Sequence, residues 1–167
     1  MRAAKLPEPF VFFIDECLGA SVIKTALIAE CRDRETVKTL PQGTLDEVWL
    51  PQAGKEGWVC FSKDRRMTIR PNELSALLET QVGLFTVGAG SGADHARLIV
   101  RTLPIVRRAA RLLHRAFVAR IDPGGALVVS IRDGKKLANA TRIEPNMHEW
   151  PRCDLPQPGK KPGPKQR

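Results

Sequence analysis

Acidic side chains follow apolar stretches of this sequence at points where a metal-dependent reaction could use them. In F-V-F-F-I-D-E-C-L-G, Asp15 and Glu16 come directly after five apolar residues. Asp64 ends a second such stretch, W-V-C-F-S-K-D, and Asp46 and Glu47 follow a weaker strand candidate. Apolar strands of this kind are expected to be buried, and a buried carboxylate costs free energy unless another group compensates its charge. The acids therefore need a functional or structural explanation.

A parallel sheet would bring these acids to one edge, because the carboxyl ends of parallel strands lie on the same side. Carboxylates crowded at that edge repel one another and raise one another's pKa values. A divalent cation removes this penalty, and Mg²⁺ prefers a few carboxylates together with several waters. Such a metal can activate water and stabilise the charge of a phosphodiester transition state. The pattern indicates metal-dependent cleavage of phosphodiester bonds.

Each acid taken alone has a simpler interpretation. Asp46 would be favoured in the first turn of a helix by the helix dipole. Asp64 stands among basic residues and could form surface ion pairs with them. Asp15 is the hardest of the three to explain in this way, since an exposed turn rarely needs D-E directly after F-V-F-F-I. The functional interpretation depends on the acids acting together.

The acids stand in a chain whose pattern alternates strands and helices. Strands are predicted at 11–14, 36–40, 58–62 and 83–87, and helices at 19–31, from Thr44, from Pro71 and at 93–114. This alternation predicts an α/β fold with a small, mainly parallel sheet and helices on both faces. Residues 117–121 and 126–131 flank D-P-G-G, which predicts a C-terminal β-hairpin. Residues 1–9 are expected as a lead-in, 10–132 as one domain and 133–167 as a basic, disordered tail.

Local signals predict where the helices begin and break. Ser21 is the predicted N-cap of the first helix. Thr44, with Glu47 three positions on, has the capping-box pattern for the second helix. Pro51 is expected to end or kink that helix, and Pro104 to interrupt the long one.

Composition narrows the class of protein further. The 167 residues suffice for one compact domain, and no apolar run approaches the length of a membrane span. The N-terminus lacks the apolar core of a signal peptide, so we expect a cytoplasmic protein without a membrane partner. The net charge of +9 suggests a polyanionic partner, although part of this excess lies in the final stretch after Pro151.

Other motifs in the chain carry less chemistry. The four cysteines form no C-x-x-C pair and are expected to be reduced thiols, most of which fill apolar space. His148 and Cys153 lack a second ligand pair at zinc spacing. G-A-G-S-G at 88–92 precedes a helix, but it has neither G-x-G-x-x-G nor a following lysine, so it is interpreted as a flexible turn.

Three segments of the chain carry a resemblance to a known family. They are F-F-I-D-E-C-L-G, L-D-E-V-W-L-P-Q-A-G-K-E-G-W-V-C-F-S-K-D and I-R-P-N-E, in that order. In these segments the sequence resembles the PIN-domain ribonucleases, specifically the PIN-like branch grouped with VapC-type toxins. The resemblance covers residues 10 to about 131. It implies a PIN-like three-layer fold whose acidic pocket binds Mg²⁺ or Mn²⁺ and cleaves single-stranded RNA.

The resemblance also assigns roles to the acids. Asp15, Asp46 and Asp64 match the catalytic, metal-holding acids of the family, and Glu47 or Asp94 is a candidate for a further ligand. Glu16 is expected to support the site without binding the metal, because neighbouring side chains on a strand point to opposite faces. The sequence departs from the family where a further acid often follows the position of Asp64. Here basic residues follow, which puts the number of metals and the activity in question.

Basic and aromatic residues near the acids suggest contacts to RNA. Lys63, Arg65, Arg66 and Arg70 are the predicted RNA-binding residues, because they could hold phosphates on either side of the scissile bond. A solvated loop explains any one of them equally well. Trp49 could stack on a base, but core packing is the favoured role for this residue.

These observations lead to competing functional hypotheses. The first is a Mg²⁺- or Mn²⁺-dependent endoribonuclease that acts as the toxin of a type II toxin–antitoxin system. Its partners would be single-stranded RNA, a protein antitoxin that covers the pocket and, in one arrangement, a second copy in a homodimer. The alternative is a non-catalytic RNA- or protein-binding module with a degenerate site. A third hypothesis is a nuclease that acts on DNA or structured RNA.

Overall fold

The computed structural model describes residues 4–63 and 65–148, without the side chains of residues 65 and 66. The strands of this part are β1 (Val11–Ile14), β2 (Thr36–Lys38), β3 (Val59–Ser62), β4 (Gly83–Val87), β5 (Phe117–Ile121), β6 (Leu127–Arg132) and β7 (Lys135–Ile143). The α-helices are α1 (Ala20–Glu30), α2 (Asp46–Glu56), α3 (Pro71–Thr80) and α4 (Gly92–Leu112). Short 3-10 turns cover Glu16–Leu18 and Arg65–Thr68.

All the strands belong to one sheet with the order β2-β1-β3-β4-β5-β6-β7. The first five strands in this order are parallel, because a helix or a long connection returns the chain before each of them. β5, β6 and β7 are joined by short turns and pair antiparallel. The predicted α/β class, the mainly parallel sheet and the C-terminal hairpin are confirmed.

Alternating side chains of the central strands build a core on each face of the sheet. Phe12 and Phe61 pack with α1 and α4 on one face, and Phe13 and Cys60 pack with α2 and α3 on the other. Asp15 has the same strand parity as Phe13, so its side chain belongs to the face that α2 and α3 cover. The three layers are therefore a helix pair, the sheet and a second helix pair.

Gly54 explains part of the A-G-x-x-G-W segment of the resemblance. A Cβ atom at this position of α2 would lie 1.7 Å from the carbonyl oxygen of Thr80, the last residue of α3. Only glycine allows this close approach of the two helices. Gly57 then ends α2 in the left-handed region with φ of 71°. These two glycines therefore serve packing and helix termination.

The helix boundaries correct several predictions. α1 begins at Ala20 with Gly19 as the N-cap, so Ser21 lies inside the helix. α2 begins at Asp46 with Leu45 as the N-cap, and the capping box predicted from Thr44 is not formed. Pro51 lies within α2 and does not end it. A proline removes one backbone N–H donor from the helix, but the buried residues on both sides of Pro51 pack in the core and hold the helix together.

α4 likewise passes through Pro104 without ending. It runs for 21 residues, and buried side chains follow its length on one face. The core contacts of this face hold the helix together across the missing hydrogen bond. Among the described helices, none combines the length and the apolar character that a membrane span requires.

The stretch expected as a tail from residue 133 begins with a strand. β7 pairs with β6 from Leu127↔Ile143 to Arg132↔Lys135. Asp133 and Gly134 both have positive φ and join the two strands in a tight turn of the D-G kind. β7 lies at the edge of the sheet, so most of its side chains are exposed and its sequence shows no apolar alternation. Residues 149–167 of the expected tail lie outside the described part of the chain.

Candidate active site

The site lies between β1 and β3, where the chain changes the side of the sheet on which it adds strands. After β1 the chain adds β2 on one side, and it then returns to add β3 on the other side. Such a switch point leaves a crevice outside the carboxyl ends of the two strands, where α/β proteins bind ligands. Asp15 directly follows β1, and Ser62 is the last residue of β3.

Asp15 is a buried carboxylate, with 7% of its surface exposed. Its backbone N–H donates to the carbonyl oxygen of Phe61 at 2.9 Å, which extends the β1–β3 pairing by one residue. The Ser62 hydroxyl donates to Oδ2 of Asp15 at 2.8 Å. The Cys17 thiol donates to the same oxygen at 3.1 Å. Two side chains from β3 and from the turn after β1 therefore fix the orientation of this carboxylate.

No basic side chain of the described residues forms an ion pair with Asp15. Both of its side-chain hydrogen bonds come from neutral donors, Ser62 and Cys17. Neutral donors offset part of the desolvation cost of a buried carboxylate, whereas a cation would offset its charge. The environment of Asp15 is therefore suited to a positively charged ligand.

Cys17 remains a protonated thiol in this setting. Burial is the main cause that raises the pKa of its thiol; hydrogen bonds with Ser62 and with the Lys63 backbone oppose it, and Asp15 adds a smaller upward effect. A protonated thiol can donate a hydrogen bond, which is the role that the contact with Asp15 requires. Cys17 is a free thiol, as predicted, and its polar contact sets it apart from cysteines that fill apolar space.

Asp46 lies at the first position of α2 and is half-buried. Its Oδ1 accepts a hydrogen bond from the indole Nε1 of Trp49 at 2.8 Å. Trp49 packs on Phe13 with a centroid distance of 4.9 Å and, together with Asp15 and Thr44, lines a small depression at the edge of the sheet. The start of α2 thus adjoins the same depression as Asp15. Trp49 itself is 1% exposed, in agreement with core packing.

Of the other candidate acids, Glu16 lines the same depression as Asp15, whereas Glu47 and Asp94 do not. Glu47 is exposed in the first turn of α2. Glu16 accepts a hydrogen bond from the backbone N–H of Gly43 at 2.7 Å, which anchors the loop that leads to α2. Asp94 forms a capping box with Ser91 at the start of α4 and an ion pair with Arg97. Hydrogen bonds from Ser91 and Arg97 lower the pKa of Asp94.

Asp64 lies outside the described residues, directly after Lys63. Among residues 4–63 and 65–148, no three histidine, cysteine, aspartate or glutamate side chains are grouped so that they could hold a metal ion. The predicted set of Asp15, Asp46 and Asp64 includes a residue outside this part of the chain, so it stays a prediction.

The predicted RNA-binding residues follow β3. Lys63 is exposed, and its backbone N–H approaches the sulfur of Cys17 at 3.5 Å. Arg70 precedes α3 and forms an ion pair with Glu73 at 2.9 Å, so its charge already has a partner. The side chains of Arg65 and Arg66 lie outside the described part, although both residues belong to the 3-10 turn at the carboxyl edge of β3.

Ser62 is the site residue that the sequence analysis missed. Its position at the end of an apolar strand was visible in V-C-F-S, but its contact with Asp15 depends on the register between β1 and β3. For the metal-dependent RNA cleavage expected from the sequence, we predict that Ser62→Ala lowers the rate about tenfold, because Asp15 loses one of the two hydrogen bonds that orient it. Initial rates at saturating metal would measure the effect.

Thr86→Val is the matched control for Ser62→Ala. Thr86 is buried, pairs with Ser62 across β3 and β4, and lies one strand further from Asp15. The Thr86→Val substitution removes a buried hydroxyl in the same way, and it should leave the cleavage rate unchanged. An equal loss of rate in both variants would assign the effect to the sheet and not to the orientation of Asp15.

Comparison with known proteins finds one family model that matches part of the chain. Residues 10–89, a little under half of the chain, match the family model described as PIN like domain. The matched region contains the positions of Asp15, Asp46 and Asp64. The match supports a PIN-like family and, in general terms, a nuclease-type activity. Searches of curated proteins and of solved structures found no match to the chain.

Proposed function

We propose that this chain is a Mg²⁺- or Mn²⁺-dependent endoribonuclease whose active site lies at the carboxyl ends of β1 and β3. The observation that carries the proposal is Asp15, a buried carboxylate at the switch point of the sheet with neutral hydrogen-bond donors and no basic partner among the described residues. The PIN-like match of residues 10–89 supports the reaction class.

The donor set fits a hard divalent cation. Carboxylate oxygens are the ligands that Mg²⁺ prefers, and Asp15, Asp46 and Asp64 would hold the ion. When bound, the metal supplies an activated water and compensates the charge that develops on the phosphodiester. Ser62 and Cys17 keep the Asp15 carboxylate in one orientation, so that it need not reorganise when the substrate binds. Glu47 remains a candidate for a further ligand.

Basic residues after β3 would hold the substrate. Lys63 is exposed beside the site, and Arg65 and Arg66 follow in the 3-10 turn. Contacts to phosphates position a strand without reading its sequence. Arg70 would have to exchange Glu73 for a phosphate, which makes it the weakest of the proposed contacts.

The biological role that we propose is that of a toxin in a type II toxin–antitoxin system. This part rests on the resemblance of the three sequence segments to VapC-type toxins. A protein antitoxin would cover the depression lined by Asp15, Thr44 and Trp49 and would keep RNA from the metal-binding acids. Co-expression with a neighbouring open reading frame that relieves growth arrest would support this role, and growth without arrest in its absence would contradict it.

Metal binding can be tested without measuring cleavage. Mn²⁺ bound only by the folded state should raise its stability by about 1.4 kcal/mol at ten times the dissociation constant. For a chain of this size, we expect a rise in melting temperature of about 3–6 °C. Thermal unfolding followed by circular dichroism, with Mn²⁺ from 0.1 to about 10 mM and with EDTA as reference, would measure it.

Two variants make this measurement specific. Asp15→Asn should abolish the Mn²⁺-dependent rise, because it removes one of the proposed ligands. Asp33→Asn should retain the rise, because Asp33 is an exposed acid in the turn between α1 and β2, at the opposite edge of the sheet. No rise in the unsubstituted protein would favour the non-catalytic binding module. Cleavage assays with single-stranded RNA, duplex RNA and DNA would then separate the remaining hypotheses.

A further inference from the structure

A second concave site lies at the same edge of the sheet, beyond β4 and β5. Its volume is about 480 Å³, within the range of pockets that bind small ligands. It is formed by the glycine-rich loop after β4, the first turns of α4 and the turn after β5. Asp94, which the sequence suggested as a further metal ligand, lines this pocket, whereas Asp15, Asp46 and Glu47 do not.

The walls of this β4–α4 pocket combine apolar and cationic groups. Leu98, Ile121 and Pro123 provide apolar surface. Arg97 and Arg101 line the pocket as well, and both are exposed. Apolar surface can pack against a nucleobase, and guanidinium groups suit a phosphate, to which they can donate parallel hydrogen bonds.

The positive charges of these two arginines are only partly compensated by acidic side chains of the described residues. Arg97 forms an ion pair with Asp94 at 2.5 Å, and Arg101 donates to the carbonyl oxygen of Pro123 at 2.6 Å. With one carboxylate for two guanidinium groups, the charged side chains of the pocket carry a net positive charge of one. A singly charged phosphodiester group would neutralise this net charge.

His95 contributes a buried imidazole to the pocket wall. The side chain is 3% exposed and lines the pocket. Its Nε2 donates to the carbonyl oxygen of Gly88 at 2.9 Å, because a carbonyl oxygen can only accept. This hydrogen bond joins the first turn of α4 to the glycine-rich loop, so the two walls of the pocket are held together. The Nδ1 atom is buried and has no hydrogen-bond partner among the described residues.

The pocket is within reach of the proposed active site. Asp15 follows β1, Ser62 on β3 pairs with Thr86 on β4, and Gly88 of the pocket follows β4. Two strand spacings correspond to about 10 Å. A single strand of nucleic acid covers that distance in roughly one to three nucleotides.

We infer that the β4–α4 pocket binds one nucleotide of the RNA substrate, with the base against the apolar wall and a phosphate at Arg97 and Arg101. This inference rests on the proposed nuclease function and adds a subsite to it. The subsite holds the strand at a fixed distance from Asp15 and thereby selects which phosphodiester reaches the metal-binding acids.

Binding of free nucleotides tests the pocket directly. The four ribonucleoside 5′-monophosphates and the four nucleosides would be titrated into the full chain in EDTA, with calorimetry or NMR as readout. We expect at least one monophosphate to bind and to bind more tightly than its nucleoside. Arg97→Ser should weaken this binding about tenfold, since it removes a charge-assisted hydrogen bond. Ala89→Trp, in an exposed loop residue that lines the pocket, should fill the space and abolish binding.

Arg111→Ser is the matched control for Arg97→Ser. Arg111 lies at the other end of α4, is exposed and also has one acidic partner, Glu8. Its loss should leave nucleotide binding unchanged. Failure of all four monophosphates to bind, or binding that persists in Ala89→Trp, would overturn the inference.

A second measurement distinguishes the subsite from the nuclease function. Fluorescence anisotropy of a labelled single-stranded oligoribonucleotide in EDTA should show about tenfold weaker binding to Ala89→Trp. If the unsubstituted protein cleaves RNA and Ala89→Trp binds and cleaves it equally well, the subsite is wrong and the nuclease function stands. If RNA is never cleaved but both binding effects appear, the pocket stands as an RNA site and the nuclease function is wrong.

Discussion

Protein carrying Asp15→Asn should cleave single-stranded RNA about 10²–10³-fold more slowly than the unsubstituted protein at the same Mg²⁺ or Mn²⁺ concentration. This is the size of effect expected when one group that stabilises the transition-state charge is removed. The amide of asparagine carries no charge, so it cannot compensate a divalent cation in the buried setting of residue 15. Single-turnover rates with excess protein would measure chemistry without product release.

The fold is expected to survive the Asp15→Asn substitution. Asparagine has nearly the same shape, and its amide oxygen can still accept the hydrogen bonds from Ser62 and Cys17. Removal of a buried charge without an ionic partner should not lower the free energy of unfolding. Far-UV circular dichroism and the melting temperature in EDTA should therefore match those of the unsubstituted protein.

Matched variants define the meaning of the Asp15 result. Asp46→Asn should reduce the rate in the same direction, while Asp33→Asn at the opposite edge of the sheet should not change it. EDTA should stop cleavage by the unsubstituted protein. Cleavage by Asp15→Asn at the full rate would show that residue 15 does not serve the reaction, and the proposed active site would then be wrong.

The sequence predicted the central strands well because burial leaves a strong mark on their composition. β1 and β4 have the predicted bounds, and both are continuous apolar runs that pack on two faces. The helix boundaries were less predictable. Ser21 and Thr44 had the residue types of N-caps, but Gly19 and Leu45 take those positions, because backbone conformation and packing override a weak local preference.

β7 escaped prediction for a related reason. A strand at the edge of a sheet is stabilised by pairing with its neighbour, so it needs little apolar alternation of its own. The signal that did exist was local: Asp133 and Gly134 form the kind of two-residue turn that joins antiparallel strands. The polar composition after Arg132 led instead to the prediction of a disordered tail.

The candidate site was predictable in outline but not in its contacts. Alternating strands and helices place Asp15 and the end of β3 at one edge of the sheet for any doubly wound fold. That Ser62 and Cys17 bind the same oxygen of Asp15 depends on register and side-chain orientation, which the sequence alone does not specify. The sequence analysis also missed the capping box of Ser91 and Asp94, because it interpreted residues 88–92 as a flexible turn, although S-x-x-D has the spacing of such a box.

The second large effect concerns stability: Arg107→Met should lower the free energy of unfolding by about 3–5 kcal/mol. Arg107 is 5% exposed on α4, where its Nε and Nη2 donate to both carboxylate oxygens of Glu35 at 3.1–3.2 Å. Its Nη2 also donates to the carbonyl oxygen of Glu30, the last residue of α1, at 2.8 Å. The guanidinium lies 5.9 Å from the ring centre of Phe12.

The expected loss comes mainly from the partner that remains. The side chain of Glu35 is 6% exposed, so without Arg107 its carboxylate would be buried without a counter-charge. The carbonyl oxygen of Glu30 would lose a donor at the same time. Arg111→Met is the control, because Arg111 pairs with Glu8 on the surface, where an ion pair contributes only about 0–1 kcal/mol. Urea unfolding would measure the change in the free energy of unfolding for Arg107→Met and for Arg111→Met, with equal m-values as the sign that stability alone has changed.

A double-mutant cycle separates the ion pair from the rest of this cluster. If the buried charge of Glu35 causes the loss, Arg107→Met combined with Glu35→Gln should be more stable than Arg107→Met alone, because no uncompensated charge remains. Equal stability of the single and the double variant would instead assign the loss to the Glu30 carbonyl and the packing on Phe12. In that case Arg107 would stabilise the contact between α1 and α4 as a donor to the end of α1, and Glu35 would serve only to orient it.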